Sequence, residues 1–380
     1  MSATVGIAPT APTIAVPFVD LAAQHREIAE IVTAGFARVM ADTDFIGGAE
    51  VTAFETDLSR WWGREHTIGV GNGTDALELM LRAAGIRAGD EVIVPANSFV
   101  ATASAVVRAG AKPVFVDVDP VHLLIDPEEV ATHLTSRTRG VIAVHLFGQM
   151  APMKALEEVV AGSSILLLED AAQAHGARQH GAPAGTVGLA AATSFYPGKN
   201  LGAYGDAGAV LTDRAEMARR VRLLATHGEA TKYDHVELGF NSRLDTLQAV
   251  VLRAKLTRLH DWNRARRAAA QYYDELLRDV SPLWLPNTAP GNEHVWHLYP
   301  IRVADRDDLI ALMRAEGIGV GIHYPVPLPF VGAFAEYGHR RGEFPRAEEA
   351  ADRLVSLPLH PHLQPSQQER VAELCAAFVG

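Results

Sequence analysis

A regular alternation of short apolar runs with helical stretches constrains the fold of this chain more than any other feature. It begins near residue 65, where an apolar run at 67–71 precedes a helical pattern at 75–84, and it recurs at 91–95 and 98–109. Further short apolar runs follow at 113–117, 141–146, 165–170, 191–195 and 209–212. Short β-branched runs separated by amphipathic helices are typical of a mostly parallel sheet that helices cover on both faces. The pattern predicts an α/β protein.

The pattern changes beyond residue 242, which indicates a second structural unit. Apolar residues at helical spacing across 242–280 predict one long helix, and the turn-rich segment LPNTAPGN follows it. Strands predicted at 297–303 and 318–324 then alternate with helices predicted at 306–316 and 366–378. A chain of 380 residues is longer than one typical domain. We therefore predict a flexible tail at 1–16, a large domain at 17–250, and a long bridging helix with a small α+β domain at 251–380.

Charge and cysteine content disfavour several classes of protein. The formal net charge of -11 opposes nonspecific association with nucleic acid, and no run reaches the ~18 consecutive apolar residues of a membrane span. The single cysteine, Cys375, cannot form an internal disulfide, and the N-terminal stretch lacks the basic region of a signal peptide. His360 and His362 have metal-ligand spacing, but the prolines beside them and the lack of a nearby cysteine or acid disfavour a metal site. We expect a cytoplasmic protein with no metal, nucleic-acid partner or membrane.

The segment GVGNGTDALELM, at 69–80, runs from a strand through a glycine loop into a helix. Its spacing fits the loose dinucleotide motif G-x-G-x-x-A, so an NAD-dependent oxidoreductase is one alternative. That motif requires an acid at the far end of the second strand, whereas the acids here precede the strand. Gly73, Thr74 and Asp75 also combine a close backbone approach with a helix N-terminus at which a phosphate could bind. An ordinary turn with a helix cap fits the segment equally well.

Polar residues at the ends of two predicted strands indicate a possible cofactor site. Asp170 ends one apolar strand, Gln173 follows it, and Lys199 comes after a later strand within SFYPGKNLGAYGDAGA. Ligands of open α/β sheets bind beyond the carboxyl ends of strands, although an aspartate there is often only a turn cap. Pyridoxal phosphate needs a lysine to bind it covalently, an acid for its ring nitrogen and an anion site for its phosphate. This chain offers all three, and Gln173 and Phe99 could hold the ring from its two faces.

Several motifs, taken in order, resemble the DegT/DnrJ/EryC1/StrS family of sugar aminotransferases, which have the fold of type I pyridoxal phosphate enzymes. The resemblance runs from FVDLAAQ near residue 18 to the C-terminus. It rests on the motifs FIGGAEVTAFE, NGTDAL, GDEVIVPANSFVATA, VHLFGQ, LEDAAQAHGA, SFYPGKNLGAYGDAG, GFNSRLDTLQA and GIHYPVPL. It implies a large domain with a mixed, mostly parallel sheet and a smaller C-terminal α+β domain.

The resemblance also implies roles for individual residues. Lys199 would bind the cofactor covalently, and Asp170 would pair with its ring nitrogen. Gln173 and Phe99 would contact the ring. The residues that it places at the phosphate within the same subunit are Thr74, Asp75 and Ser194, beside the close backbone approach at Gly73. Asn241, in GFNSR, would reach the phosphate of the neighbouring subunit's cofactor, so the resemblance implies a homodimer with two shared sites.

The implied reaction is a transamination in which L-glutamate supplies the amino group and a nucleotide-linked keto-sugar receives it, in the biosynthesis of an aminodeoxysugar. The motifs are most similar to members that act on dTDP-linked 3-keto-6-deoxyhexoses, in which His323 and Tyr324 approach the sugar. Pro329 departs from the commoner family ending PLH. A dTDP-4-keto-6-deoxyhexose is the alternative substrate. A regulator without catalytic activity is a third interpretation, but it would be expected to have lost Lys199, Asp170 or Gln173, and all three are present.

Overall fold

A seven-stranded mixed sheet forms the centre of the larger unit of the computed structural model, which describes residues 15–380. The strands of the protein, in chain order, are β1 (His66–Val70), β2 (Glu91–Pro95), β3 (Lys112–Val116), β4 (Thr138–Val144), β5 (Leu166–Asp170), β6 (Arg178–Gln179), β7 (Ala182–Pro183), β8 (Ala190–Ser194), β9 (Gly208–Thr212), β10 (Glu229–Thr231), β11 (Asp234–His235), β12 (Asn292–Glu293), β13 (Tyr299–Arg302) and β14 (Leu354–Leu357). The large sheet has the strand order β1-β9-β8-β5-β4-β2-β3.

Helices surround this sheet and build the smaller unit. They are α1 (Leu21–Asp42), α2 (Gly48–Trp62), α3 (Gly73–Ala83), α4 (Val100–Arg108), α5 (Pro127–Thr132), α6 (Met153–Val160), α7 (Ala215–Ala225), α8 (Thr246–Leu256), α9 (Leu259–Leu277), α10 (Arg306–Ala315), α11 (Pro345–Arg353) and α12 (Pro365–Val379). Short 3-10 helices lie at Leu146–Gly148, Leu328–Phe330 and Gly332–Tyr337. Across residues 15–380, no helix is both long enough and apolar enough to cross a bilayer.

The sheet is mostly parallel because six of its seven strands run in the same direction, and β9, between β1 and β8, alone runs in the opposite direction. Strand β5 lies between β4 and β8 and is parallel to both. Its side chains alternate between two buried layers, as expected of a strand with period two. Leu168 belongs to the core that includes α3, α4 and α7, whereas Leu167 belongs to the core that includes α6. The predicted α/β class, with a sheet covered on both faces, is confirmed.

The smaller unit is built around β13 and β14, with α9, α10 and α12 contributing to one core. The prediction of a strand at 318–324 is wrong. In this segment Ile318 forms only an isolated bridge to Val16, and Gly321 forms only an isolated bridge to Ser356. The segment carries glycine at 319 and 321, and glycine in a strand interior weakens it. Strand β14, which the sequence pattern did not indicate, pairs with β13 instead.

The N-terminal boundary also differs from the predicted tail. Val16 is buried, and its backbone is hydrogen-bonded to residues on both sides of Ile318. It therefore belongs to the core of the smaller unit. Residues 1–14 of the predicted tail lie outside the described part of the chain.

The single long helix predicted across 242–280 is two helices, α8 and α9. Helix α8 ends in a tight turn, in which the N–H of Arg258 donates to the carbonyl of Lys255 at 2.9 Å. The hydroxyl of Thr257 donates to the carbonyl of Ala254 at 2.7 Å. Hydrogen bonds to the third preceding carbonyl replace those to the fourth and end the α-helix without proline or glycine.

Candidate active site

Two charged residues lie at the carboxyl ends of neighbouring parallel strands. Asp170 is the last residue of β5 and is in register with Ala192 of β8. Lys199 follows β8 after a tight turn in which its N–H donates to the carbonyl of Tyr196 at 2.8 Å. The structure places the predicted acid and the predicted amine at the same edge of the sheet.

Asp170 and Lys199 affect each other's pKa without forming an ion pair. Burial raises the pKa of Asp170, and burial lowers the pKa of Lys199 to about 8, while the charge of each residue opposes the shift of the other. Within residues 15–380, the ion pairs of 4.0 Å or less include neither side chain. The acid and the amine therefore lie near enough for their charges to interact, but they do not pair with each other.

A chain of two hydroxyl groups is hydrogen-bonded to the carboxylate of Asp170. The hydroxyl of Thr102, on α4, donates to Oδ2 of Asp170 at 2.8 Å, and Ser98 is hydrogen-bonded to the same hydroxyl at 2.8 Å. The N–H of Ala172 donates to Oδ1 of Asp170 at 3.2 Å. The sequence analysis missed Thr102 and Ser98. The available signal was a lone threonine among the apolar side chains of α4.

Gln173 and two aromatic residues form one wall of the same region. The side chain of Gln173 accepts a hydrogen bond from the N–H of Phe147 at 2.7 Å and donates to the hydroxyl of Tyr324 at 2.9 Å. The ring centroids of Tyr324 and Phe99 lie 5.7 Å apart. Phe99 is 51% exposed although it is large and apolar, so one face of its ring is available for stacking. The structure thus brings together Phe99, Gln173 and Tyr324 from three separate segments.

His323 lies beside this wall and is neutral at physiological pH. Its Nδ1 is 2.9 Å from the hydroxyl oxygen of Ser356, and its ring stacks on Phe18 at a centroid distance of 5.8 Å. Burial and, to a smaller extent, the charge of Lys199 together lower the pKa of His323 to about 4. A neutral imidazole can accept or donate one hydrogen bond with its second nitrogen.

Two further histidines that the sequence analysis did not assign lie near Lys199. Burial lowers the pKa of His175 to about 3, and burial lowers the pKa of His297 well below its ordinary value. The charge of Lys199 contributes to both shifts. Both imidazoles are therefore neutral, and the lysine keeps a low pKa without a cationic histidine beside it.

The N-terminus of α3, where the sequence predicts a phosphate-binding site, lies against the end of β8. Asn72 caps the helix by accepting a hydrogen bond from the N–H of Asp75 at 2.8 Å. The first two amides, of Gly73 and Thr74, have no acceptor within the helix, as at any helix N-terminus. A β-carbon at Gly73 would lie 2.5 Å from Cβ of Ser194, so only glycine permits this close approach. The amides of α3 and the end of β8 thus form a narrow cradle.

The carboxylate of Asp75 supports this cradle by accepting hydrogen bonds from neighbouring side chains. It accepts hydrogen bonds from Asn72 at 3.0 Å and from the hydroxyl of Ser242 at 2.8 Å. That hydroxyl also accepts the N–H of Gly71 at 3.1 Å. Asn241, the neighbour of Ser242, is exposed, and the described residues give its side chain no hydrogen-bond partner. Ser242 was absent from the predicted site.

Comparison with known proteins identifies the family. The model of the DegT/DnrJ/EryC1/StrS aminotransferase family matches residues 26–375. The chain belongs to this family. A relative from Streptomyces venezuelae named dTDP-3-amino-3,4,6-trideoxy-alpha-D-glucose transaminase is 43% identical over 363 residues, which are 96% of each chain. A relative from Geobacillus stearothermophilus is also 43% identical, over 96% of this chain and 98% of its own, and is named a pleiotropic regulatory protein.

Solved structures of DegT/DnrJ/EryC1/StrS aminotransferases share the fold. The structure of S. venezuelae DesV in complex with a ketimine intermediate has a TM-score of 0.94 at 43% identity and covers 96% of this chain and 98% of its own. The Bacillus subtilis protein NtdA, with bound cofactor PMP, has a TM-score of 0.89 at 30% identity and covers 96% of this chain and 85% of its own. The type I aminotransferase fold that the motifs indicated is confirmed.

Family membership decides between the enzyme classes left open by the sequence. The protein is an aminotransferase of the DegT/DnrJ/EryC1/StrS family, so the NAD-dependent oxidoreductase alternative is wrong. The structure agrees, because β2 ends in Val94 and Pro95 and carries no acid where a dinucleotide-binding sheet needs one.

Proposed function

We propose that the protein transfers an amino group from L-glutamate to C3 of a dTDP-linked 3-keto-6-deoxyhexose, with pyridoxal phosphate as its cofactor. The observation that carries this proposal is the pair of Lys199 and Asp170, which lie at one sheet edge, influence each other's charge and form no ion pair. An amine and an acid in this arrangement match the two ends of the cofactor that require them, the aldehyde carbon and the ring nitrogen.

The residues around this gap fit pyridoxal phosphate. Lys199 and Asp170 supply the amine and the acid, and Phe99 offers an exposed ring face. The close approach of Gly73 to Ser194 is possible only because no side chain projects from Gly73, so the backbone amides at the start of α3 lie beside the end of β8. The helix amides there favour an anion. A family structure with bound PMP supports the same choice of cofactor.

The chemistry of each residue follows from its surroundings. When bound, pyridoxal phosphate supplies an electron sink for negative charge on the carbon that gains or loses the amino group. Nζ of Lys199, with its pKa lowered to about 8, accepts a proton near neutral pH more readily than an exposed lysine does. We assign to Nζ the proton that leaves the α-carbon of the amino donor and the proton that is delivered to the sugar carbon. Asp170 holds a proton at the ring nitrogen through a charge-assisted hydrogen bond.

The sugar is assigned to the side of the pocket that carries His323 and Tyr324. Tyr324 is hydrogen-bonded to Gln173, and burial raises the pKa of Tyr324, so its hydroxyl remains protonated. His323 is neutral and available as a hydrogen-bond partner for a sugar hydroxyl. The S. venezuelae relative named as a dTDP-3-amino-sugar transaminase supports amination at C3, and a 4-keto sugar is the competing substrate.

We propose a homodimer in which Asn241 completes the partner's phosphate site. Large apolar side chains are exposed in the same part of the chain, with Leu238 97% exposed and Tyr233 81% exposed. Ile46, half exposed, lies in a segment that bridges to Asp245. Exposed apolar groups concentrated in this way are typical of a protein–protein interface. Sedimentation velocity should give a dimer, and a monomer would contradict the shared site.

Mixed subunits test the shared site directly. Lys199→Ala and Asn241→Ala proteins should each be poorly active alone, the first through loss of the amine and the second through loss of the phosphate contact. After unfolding and refolding together they should form hybrid dimers in which one site has both residues intact. Recovery of transaminase activity in the mixture is expected. No recovery, despite hybrid formation by mass spectrometry, would place Asn241 in its own subunit's site or outside it.

The substrate and cofactor are tested by absorbance and by product analysis. Purified protein supplied with pyridoxal phosphate should show the visible absorbance of a lysine-bound cofactor, and Lys199→Ala should lose it. The dTDP-linked 3-keto and 4-keto hexoses can be compared directly as amino acceptors, with glutamate as the donor. Formation of 2-oxoglutarate with the 3-keto sugar is expected. Faster turnover of the 4-keto sugar would overturn the assignment to C3, and a protein without cofactor absorbance would overturn the proposal as a whole.

A further inference from the structure

Two buried hydroxyl groups form a hydrogen-bonded chain that ends on the carboxylate of the candidate acid. Thr102 is 0% exposed and Ser98 is 3% exposed, and both lie at the start of α4 or just before it. The oxygens of Ser98 and Thr102 are 2.8 Å apart, and the hydroxyl of Thr102 is 2.8 Å from Oδ2 of Asp170. These contacts join α4 to the carboxyl end of β5.

Thr102 uses its hydroxyl in an unusual way for a helical threonine. A threonine within a helix commonly donates to the carbonyl four residues earlier, which satisfies the hydroxyl inside its own helix. Here the hydroxyl donates across to Asp170, which is 68 residues away in sequence. The neighbouring buried side chains of α4 are Ala101, Ala103, Ala105 and Val106. A polar group in this apolar layer is best explained by its partner on β5.

The direction of the hydrogen bonds among Ser98, Thr102 and Asp170 is fixed because each hydroxyl has a single hydrogen to donate. The hydroxyl of Thr102 has one hydrogen, which it gives to Asp170, so Ser98 must be the donor in the contact between the two hydroxyls. Both hydrogen bonds therefore run toward the carboxylate. A donor on one oxygen and the N–H of Ala172 on the other stabilise the ionised acid, which burial disfavours.

We propose that Thr102, supported by Ser98, is a positioning residue that keeps the carboxylate of Asp170 ionised and directed at the ring nitrogen of the cofactor. The inference rests on the proposed function, because it requires pyridoxal phosphate in the pocket. An acid that loses this donor becomes a stronger base and takes the proton from the ring nitrogen. The electron sink is then weakened although no atom of Thr102 touches the cofactor.

The experiment compares two forms of the cofactor. Apo-protein is titrated by fluorescence at one pH with pyridoxal phosphate and with its analogue in which CH replaces the ring nitrogen. The variants are Thr102→Val, which keeps the shape and removes the donor, and Thr102→Ser, which keeps the hydroxyl. We expect Thr102→Val to lose about tenfold or more in affinity for pyridoxal phosphate and to bind the analogue as the unaltered protein does. Thr102→Ser should restore most of the affinity.

The analogue separates this role from simple packing. Equal losses for both ligands, or no loss for either, would overturn the inference, because only the natural cofactor has a nitrogen for Asp170 to hold. An unaltered protein that binds neither ligand would instead contradict the proposed function. Ser98→Ala provides a second variant should Thr102→Val fail to fold, and a smaller loss confined to pyridoxal phosphate is expected. The ¹⁵N shift of the labelled ring nitrogen should move toward the unprotonated value in Thr102→Val.

Discussion

Replacing Gly73 by alanine should weaken cofactor binding while the protein still folds. A β-carbon at this position lies 2.5 Å from Cβ of Ser194 and 3.1 Å from its Cα. Carbon atoms in favourable contact are about 3.5–4.0 Å apart, so the added methyl group overlaps Ser194 by roughly 1 Å. Rotation of the Ser194 side chain gives no relief, because neither its Cβ nor its Cα moves with that rotation. The start of α3 and the end of β8 must therefore separate.

The magnitude follows from the cost of overpacking. Inserting a methyl group into a filled space typically costs about 1–3 kcal/mol. The overlap with Ser194 exists with or without the cofactor, so it lowers the stability of the apo-protein as well, and the displacement of the amides proposed to bind the phosphate weakens cofactor binding. A loss of about 1.4 kcal/mol corresponds to a tenfold increase in Kd, and we expect a loss of roughly that size or more.

Fluorescence titration of apo-protein with pyridoxal phosphate measures this effect, and circular dichroism gives Tm. Gly332→Ala is the matched control, because a β-carbon at Gly332 has nothing within 4 Å and its backbone is not in the left-handed region. The control should bind the cofactor as the unaltered protein does. If Gly73→Ala also binds with unaltered affinity, the assignment of the phosphate to this cradle is refuted, even where its Tm has fallen.

Three other perturbations test the electrostatics and packing around the site. Stopped-flow absorbance measures the rate at which apo-protein captures pyridoxal phosphate. This rate should rise as pH increases through about 8, because burial lowers the pKa of Lys199 and the unprotonated amine is the nucleophile. A midpoint near the ordinary pKa of lysine would contradict this expectation. Glu169→Gln should lower the free energy of unfolding in urea by about 3 kcal/mol, because Glu169 is fully buried and accepts hydrogen bonds from His145 and from backbone amides. Glu157 is exposed, so the control variant Glu157→Gln should change this free energy little. Val16→Asp should lower Tm measurably, because it places a charge in the core of the smaller unit. An unchanged Tm would show that Val16 belongs to the N-terminal tail and not to that core.

The strands of the large sheet could be predicted from sequence because each is buried on both faces. Such strands are short, continuous apolar runs, and residues 91–95 form β2 with the bounds expected. The failures lie where tertiary contacts override a local pattern. The apolar alternation at 318–324 is real, yet that segment contacts β14 and the N-terminal segment through isolated bridges. The helical pattern at 242–280 continues through a break that only backbone hydrogen bonds reveal.

The sequence was sufficient to predict the residues of the candidate site that lie at the carboxyl ends of strands. Asp170 and Lys199 follow neighbouring parallel strands, so sheet topology alone brings them to one edge. The residues that hold them were not predictable, because their partners are distant in sequence. Thr102 is 68 residues from Asp170, and Ser242 is 167 residues from Asp75. Nothing in the local sequence of α4 or of the loop before α8 specifies these partners.

Strand β5 carries two successive acids, Glu169 and Asp170, and the contacts of both depend on the register of the strand. Successive side chains point to opposite faces, so Asp170 faces α4 and the pocket while Glu169 faces the other layer. There Glu169 accepts hydrogen bonds from His145 at 2.7 Å and from the amides of Gly185 and Gly188 at 2.7 Å and 2.6 Å. A slip of one residue would exchange the two acids and leave the buried donors of both layers without partners. The structural acid thereby fixes the position of the acid proposed to act on the cofactor.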